Sequence, residues 1–308
     1  MSEELSKIIA DQKLIGKECS FTSPRLRYLV KEQAKEWIEI GKSVNTHTLS
    51  TENSLIKGKI SEIFSKSGKS LVIVDIGCGD GRKVAQIISD LFNNGYSVAK
   101  YVAVDFSQTL VNSAIELVVA KTKLTRNSCI SVCTVLEEWS DKLKQSWKIS
   151  KNKEVIYLFL GNTFNNFENR NVLEILSKIV KQGEKILIGM KCRRGSSPEE
   201  QKRIVKEYSS YGPSFTLSFG HLFGLSNDDM ERVVEYNSKK NRLEIYLEVN
   251  KPSTFMINNG IGKCKRLHVF NSYKPTIGEV GQLLTSFYDV KVYKNSNSTE
   301  AVFFCIKK

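Results

Sequence analysis

The run Asp75-Ile76-Gly77-Cys78-Gly79-Asp80-Gly81 spaces three glycines one residue apart, directly behind an acidic side chain. Glycine has no Cβ and tolerates positive φ, so such a loop lets the backbone approach a ligand unusually closely. A nucleotide-like ligand suits that geometry. Dinucleotide fingerprints space their glycines as GxGxxG, whereas here the third glycine follows after one residue and the acidic residue precedes the loop. A second carboxylate, Asp105, closes Val102-Ala103-Val104-Asp105-Phe106-Ser107, where it can accept two hydrogen bonds from a ribose diol. Its other reading is the N-cap of the helix that follows. Asp75 also has two readings: it ties the loop together through backbone amides, or it contacts the ligand's amino group through water.

These residues need a strand, a turn and a helix to hold them. Leu71-Val72-Ile73-Val74 is a short β-branched run, the glycines follow at once, and Lys83 to Phe92 reads as a helix. The same alternation then repeats. Strands are expected at Tyr101–Val104, Cys129–Val135, Val155–Leu160 and Lys185–Ile188, with helices at Gln108–Ala120 and Val172–Val180 and a charged helical stretch before Val155. Strands separated by helix-length segments imply βαβ units and a mostly parallel sheet covered on both faces. Ligands of such sheets sit at the carboxyl ends of the strands.

Ahead of this core, Leu26, Leu29, Val30, Ala34, Trp37 and Ile38 form one helical stripe, and Ile56, Ile60, Ile63 and Phe64 another. Beyond residue 190 the rhythm breaks into turn signals at 194–198 and 211–213 around short helical pieces. Arg242–Val249 then alternates with period two. The core resumes with a helix at Ile277–Phe287 and strands at Val290–Tyr293 and Ala301–Ile306, close enough to pair as a hairpin. The domain reading is therefore an N-terminal helical cap (1–69), a core of 70–190 and 276–308, and an inserted substrate-recognition region (191–275).

No uninterrupted apolar stretch approaches the roughly 18 residues a membrane span needs, and the first thirteen residues lack the apolar run of a secretory signal. Seven cysteines, an odd number with no CxxC pair, fit a reducing cytoplasm and no metal site. Cys129 and Cys133 are expected near the core, and Cys305 as a buried thiol. The net charge of +13 comes from lysines spread over the whole length. It is read first as a solubility feature, because no dense arginine run or aromatic-basic interleaving accompanies it. A nucleic-acid partner is not favoured, no membrane partner is expected, and the chain is read as a monomer or homodimer.

The glycine loop with its leading acid resembles the class I methyltransferase family. The fourth strand narrows that resemblance: Tyr157-Leu158-Phe159-Leu160-Gly161-Asn162-Thr163-Phe164-Asn165-Asn166-Phe167 is similar to the LFLGSTIGNF motif of the histidine-specific methyltransferases, a family that includes an enzyme trimethylating the α-amine of histidine. Tyr101 to Ser107 resembles that family's Tyr-x-Pro-Val-Asp-x-Ser, Lys83 its lysine six residues after the first loop glycine, and Ser272-Tyr273-Lys274 its late Ser-x-Lys. Tyr236-Asn237 followed by Leu243-Glu244-Ile245 is a further, fainter likeness. The resemblance runs from about residue 70 onward.

It implies a Rossmann-like sheet, mostly parallel with the last strand antiparallel. It also implies an S-adenosyl-L-methionine cofactor leaving as S-adenosyl-L-homocysteine, and methyl transfer to an amine of a small, amino-acid-like molecule. The implied cofactor residues are Asp75, Gly77, Gly79, Lys83, Asp105, Phe106, Thr134, Val135 and Gly161. Asn166, Tyr208, Phe270 and Ser272 are implied at the substrate, Asn166 and Tyr208 as positioning residues. One departure bears on specificity: the family's glutamate that holds the imidazole falls on Phe270. An unpaired buried polar group costs roughly 1–3 kcal/mol, so histidine does not carry over as the substrate.

Methyl transfer from a sulfonium needs no strong base, only a positioned, neutral amine and exclusion of water. Asn162, Asn165 and Asn166 are either site residues or turn formers, and Phe164, Phe167 and Phe270 either wall the pocket or fill the core. His47, His221 and His268 have no triad-like context and are read as structural. Two other classes stand beside this reading: a nucleic-acid- or protein-directed methyltransferase, and a non-catalytic partner protein of the same fold. Base-modifying enzymes carry Asn/Asp-Pro-Pro-aromatic where this chain has Gly161-Asn162-Thr163-Phe164.

Overall fold

The computed structural model describes residues 18–22, 33–36, 38–39, 46–64 (46–50 in backbone only), 68, 70–135, 138, 153–210 and 213–308. Leu26, Leu29, Val30 and Trp37 of the first stripe, the charged stretch before Val155 apart from Glu138, and Tyr211-Gly212 lie outside those residues. The chain forms two compact units, a larger one of Gly41–Arg194 with Pro275–Lys308 and a smaller one of Met1–Ile40 with Gly195–Lys274. Strands are numbered along the chain. The smaller unit holds β1 (Glu18–Ser20), β7 (Met230–Asn237), β8 (Arg242–Val249) and β9 (Arg266–Tyr273). The larger holds β2 (Ser70–Ile76), β3 (Val98–Asp105), β4 (Cys129–Cys133), β5 (Lys153–Phe159), β6 (Lys185–Lys191), β10 (Tyr288–Lys294) and β11 (Glu300–Lys307). The longer helices are α1 (Thr46–Lys57), α2 (Arg82–Asn93), α3 (Gln108–Lys121), α4 (Asn169–Ile179), α5 (Pro198–Ser209), α6 (Pro213–Leu222) and α7 (Ile277–Thr285).

The larger unit is built on one sheet in the order β10-β11-β6-β5-β2-β3-β4. Strands β2 to β6 pair in parallel, and β11 runs antiparallel to both β6 and β10. This is the Rossmann-like arrangement of class I methyltransferases, mostly parallel with the last strand reversed. The near-continuous apolar sequence of β2 follows from its central place, where both faces are covered. Val72, Val74 and Ile76 pack with Leu173 and Leu176 of α4 and Leu284 of α7. Leu71 and Ile73 on the other face pack with Ile56, Ile87, Ile88 and Val111 from α1, α2 and α3. Each fully buried aliphatic side chain contributes roughly 1.5–3 kcal/mol. Strand order reverses between β2 and β5, which makes their carboxyl ends the crevice where such sheets take ligands.

The smaller unit is a four-stranded sheet in the order β1-β9-β8-β7, antiparallel except where β1 joins β9 in parallel. Its core gathers Phe21, Phe219, Phe223, Leu243, Leu247 and Met256. The single helical cap read over 1–69 is thus divided. Glu18–Ser20 is a strand of the smaller unit, because its backbone completes the free edge of β9, while α1 belongs to the larger unit, because Ile56 continues that unit's core. Strand β7 stands within the stretch read as short helical pieces. Cys133 is exposed and Cys129 half-buried, not both near the core, because β4 is an edge strand. Among the described residues no helix is long and apolar enough to cross a membrane, and no group of three His, Cys, Asp or Glu side chains is placed to hold a metal ion.

Candidate functional site

Leaving β2, the chain turns on Gly77 at φ +67° and enters α2 through Gly81 at φ +80°. Both need glycine for space as well. A Cβ on Gly77 would lie 2.7 Å from Thr163 Cγ2, and one on Gly81 would lie 2.6 Å from Ala114 Cα and 2.8 Å from its carbonyl oxygen. The loop is pinned by the amides of Gly77 and Cys78, which donate to Val104 O at 2.8 and 3.1 Å.

Two buried carboxylates flank it. Asp105 ends β3 and accepts from Gly79 N through Oδ2 at 3.2 Å and from Ser107 N through Oδ1 at 3.1 Å. Burial raises its pKa to about 6 against the lowering effect of the Ser107, Gly79 and Phe106 amides. The N-cap of α3 is Ser107, which accepts from Leu110 N at 3.4 Å, so the capping role considered for Asp105 is filled by its neighbour. Asp75 does not tie the loop: its hydrogen bond comes from Tyr101 Oη at 3.2 Å. Burial pushes its pKa up to about 7, opposed first by the Tyr101 hydroxyl. The tie through backbone amides is made by Asp105 instead. Beside it, Thr134 N donates to Asp105 O at 3.0 Å, and the buried Thr134 Oγ1 has no hydrogen-bond partner among the described residues. Val135, next in the chain, is half-buried.

The turn after β5 is assembled from its asparagines. Asn162 sits at φ +67°, which asparagine tolerates better than most residues. Its Oδ1 accepts from Lys191 N at 3.1 Å and from Asn165 Nδ2 at 2.7 Å, and Asn165 Nδ2 also donates to Lys191 O at 2.8 Å. These two asparagines lock the turn to the end of β6. Asn166 is different: it is half-buried, and no side-chain hydrogen bond to another described residue engages its amide. Phe164 packs edge-on against Phe159 at 6.0 Å inside the core, and Phe167 lies against the same core. Phe164 is therefore a core residue, whereas Phe167 keeps a partly exposed ring.

Sequence reasoning missed Glu52. Its carboxylate is 1% exposed, accepts from Gly161 N at 3.1 and 3.3 Å, and pairs with Lys83 Nζ. Lys83 in turn lies against Gly161, where a Cβ would come within 3.3 Å of its Nζ. The space for Glu52 is made by Gly189, on which a Cβ would stand 2.6 Å from Glu52 Oε1. Both signals were in the sequence. Glu52 falls four residues before Ile56, on the apolar stripe of α1, and Gly189 interrupts the apolar strand β6, a mark of close approach by another group.

The larger unit therefore brings together Asp75, Gly77, Gly79, Lys83, Asp105, Phe106, Thr134, Val135 and Gly161 around the ends of β2, β3, β4 and β5, with Asn166 one turn past β5. The smaller unit has its own group. Tyr208 on α5 faces Phe270 of β9 with ring centroids 6.4 Å apart. Lys274 Nζ donates to Tyr208 Oη at 2.8 Å and to Ser272 Oγ at 2.7 Å. Of the histidines, His221 bonds Asn227 at 3.0 Å. His268 is buried against Tyr246 with ring centroids 4.6 Å apart, and burial lowers its pKa to about 4. The side chain of His47 lies outside the described residues.

A seven-stranded sheet with its last strand reversed, a glycine loop after the first core strand and a carboxylate closing the second define a methyltransferase that uses S-adenosylmethionine. The model of the histidine-specific, SAM-dependent methyltransferases matches residues 36–307, beginning well ahead of the point where the motifs become readable; the chain belongs to that family and is an S-adenosylmethionine-dependent methyltransferase. No curated protein matches it. Among solved structures it is similar to the PH0226 protein of Pyrococcus horikoshii (12% identity, 91% of this chain and 100% of that one, TM-score 0.49). It is also similar to an S-adenosylmethionine-dependent methyltransferase of Clostridium acetobutylicum (11%, 89% and 98%, 0.48). A third is the magnesium protoporphyrin IX methyltransferase of Synechocystis with bound SAH (11%, 91% and 97%, 0.47).

Proposed function

We propose that the chain transfers a methyl group to an amine of a small, amino-acid-like molecule, with the smaller unit serving substrate recognition. The observation that carries this reading is Asn166. Of the three asparagines in the turn after β5, Asn162 and Asn165 are spent on the scaffold, and Asn166 alone keeps an amide for a ligand. It stands just past the carboxyl end of a central strand, where parallel sheets take their ligands.

The residues present fit the cofactor. The buried Thr134 Oγ1, without a hydrogen-bond partner among the described residues, suits a ligand seated at these strand ends. Asp105 would accept the ribose hydroxyls, Gly77 and Gly79 would let the backbone approach, Phe106, Thr134 and Val135 would border the base, and Lys83 with Gly161 would border the amino-acid end. When bound, S-adenosylmethionine supplies an electrophilic methyl on a sulfonium whose leaving group is neutral. What remains for the chain is positioning and dryness. Asn166 would orient the amine, and an amine near pKa 10 in water must be held neutral to attack, which burial favours. Phe270 offers no carboxylate to an imidazole, which argues against histidine as the acceptor. Seven cysteines with no CxxC pair support a reducing, cytoplasmic setting.

Calorimetric titration with S-adenosylmethionine, followed by mass spectrometry of a metabolite extract incubated with labelled cofactor, tests it. Asn166→Ala is expected to keep cofactor binding and lose turnover. Unchanged turnover refutes the role given to Asn166. Label passing to RNA with a steep salt dependence, in place of a small molecule, overturns the substrate class.

A further inference from the structure

A carboxylate buried as deeply as Glu52, on α1 of the larger unit, persists only where charges or hydrogen bonds compensate it. Its compensation comes from two groups at the strand ends. Gly161 N donates to both carboxylate oxygens, at 3.1 and 3.3 Å, and Lys83 Nζ pairs with Oε2. One side chain thus ties together α1, the first turn of α2 and the turn after β5. Lys83 is the member that reaches solvent, with 18% of its side chain exposed against 1% for Glu52. An ammonium on a flexible four-carbon stem gives up rotamer freedom when a ligand fixes it. A lysine already held by a buried carboxylate has given it up beforehand. The pair carries no net charge, so an amino-acid end, with one carboxylate and one ammonium, meets it without surplus charge.

We propose that Glu52 is a positioning residue that holds the Lys83 ammonium and the turn at Gly161 in the arrangement that receives the amino-acid end of S-adenosylmethionine. The proposal rests on the reading that puts Lys83 and Gly161 at that end, and adds the residue that fixes them. Glu52→Gln separates the two ties: glutamine keeps an acceptor for Gly161 N and removes the charge that holds Lys83.

The test titrates the full chain calorimetrically at pH 7 with S-adenosylhomocysteine and with methylthioadenosine, which has the same nucleoside without the amino-acid end. The ratio of the two affinities is the readout. Glu52→Gln is expected to weaken S-adenosylhomocysteine about fivefold or more, the worth of ordering one long side chain, and to leave methylthioadenosine unchanged. Lys83→Met is expected to lose at least as much, and the double variant no more than Lys83→Met, because Glu52 acts through Lys83. Thermal melts report which variants fold. Should Glu52→Gln not fold, Gly189→Ala decides in its place: its Cβ would stand 2.6 Å from Glu52 Oε1 and displace the carboxylate with its charge intact, and an unchanged ratio there overturns the proposal. A folded Glu52→Gln with an unchanged ratio, equal weakening of both ligands, or losses that add in the double variant also overturns it. If Lys83→Met leaves the ratio unchanged, the placement of Lys83 at the amino-acid end falls and the proposal falls with it. If Lys83→Met lowers the ratio and Glu52→Gln does not, that placement stands and the role of Glu52 alone is refuted.

Discussion

Asp75 keeps a carboxyl group inside the sheet on one hydrogen bond from Tyr101, and burial raises its pKa from an ordinary 3.8 to about 7. Asp75→Asn tests that reasoning, because asparagine keeps an acceptor for Tyr101 and cannot ionise. The sign follows from linkage: a group whose pKa is higher folded than unfolded stabilises fully below its unfolded value, and that contribution is lost as pH rises through its folded value. Wild type should therefore lose more stability from about pH 4 to about pH 7 than the variant, which keeps only the loss due to Asp105. The interval from 3.8 to about 7 corresponds to about 4 kcal/mol at most. At roughly 2–4 °C per kcal/mol for a unit of this size, the variant should melt on the order of 10 °C higher at pH 8. Toward pH 4 the gap should vanish. Circular-dichroism melts of the cofactor-free protein at both pH values are the assay. Identical melting points at pH 8, or a gain as large at pH 4, would show that Asp75 is not a strained buried acid.

Asp105, with its pKa raised to about 6, must be ionised to accept both ribose hydroxyls, so the Kd for S-adenosylmethionine should rise about tenfold for each pH unit below 6; a Kd equal at pH 5 and pH 7 contradicts this. Asp105→Ala should weaken cofactor binding about 100-fold or more at pH 7, through two charge-assisted hydrogen bonds. Gly81→Ala puts a Cβ 2.6 Å from backbone at Ala114 with φ +80°, and urea titration should show a loss of about 3 kcal/mol. Lys83→Met should lower the melting point more than Glu52→Gln. The first strands a carboxylate that is 1% exposed, whereas the second frees an ammonium with 18% of its side chain already exposed.

The parallel core was legible because each of its central strands is buried on both faces and reads as an unbroken apolar run: Leu71–Val74 expanded to β2, Tyr101–Val104 to β3 and Lys185–Ile188 to β6. Two strands of the smaller unit, β7 and β9, were not. β7 reads Met-Glu-Arg-Val-Val-Glu-Tyr-Asn and buries only its first residue fully. β9 carries His268, Asn271 and Ser272 inward, against the pattern that marks a strand. At the site, the turns made by Gly77 and Gly81 were readable because their geometry is local in sequence. Asp75 was not, since Tyr101 reaches it from the neighbouring strand. The scaffold role of Asn162 and Asn165 depends on Lys191, which no local pattern brings near.

The position of β11 between β6 and β10 sets an order on folding during synthesis. β2 to β6 leave the ribosome first, and the edge of β6 then stays unpaired while all of 195–274 is translated. It is covered only when Glu300–Lys307 arrives and pairs with it residue by residue, Phe303 against Ile188 and Phe304 against Leu187. An open apolar edge is a template for pairing between chains. The nascent protein is thus most prone to aggregate after the residues that shape its glycine loop are complete and before its last strand exists.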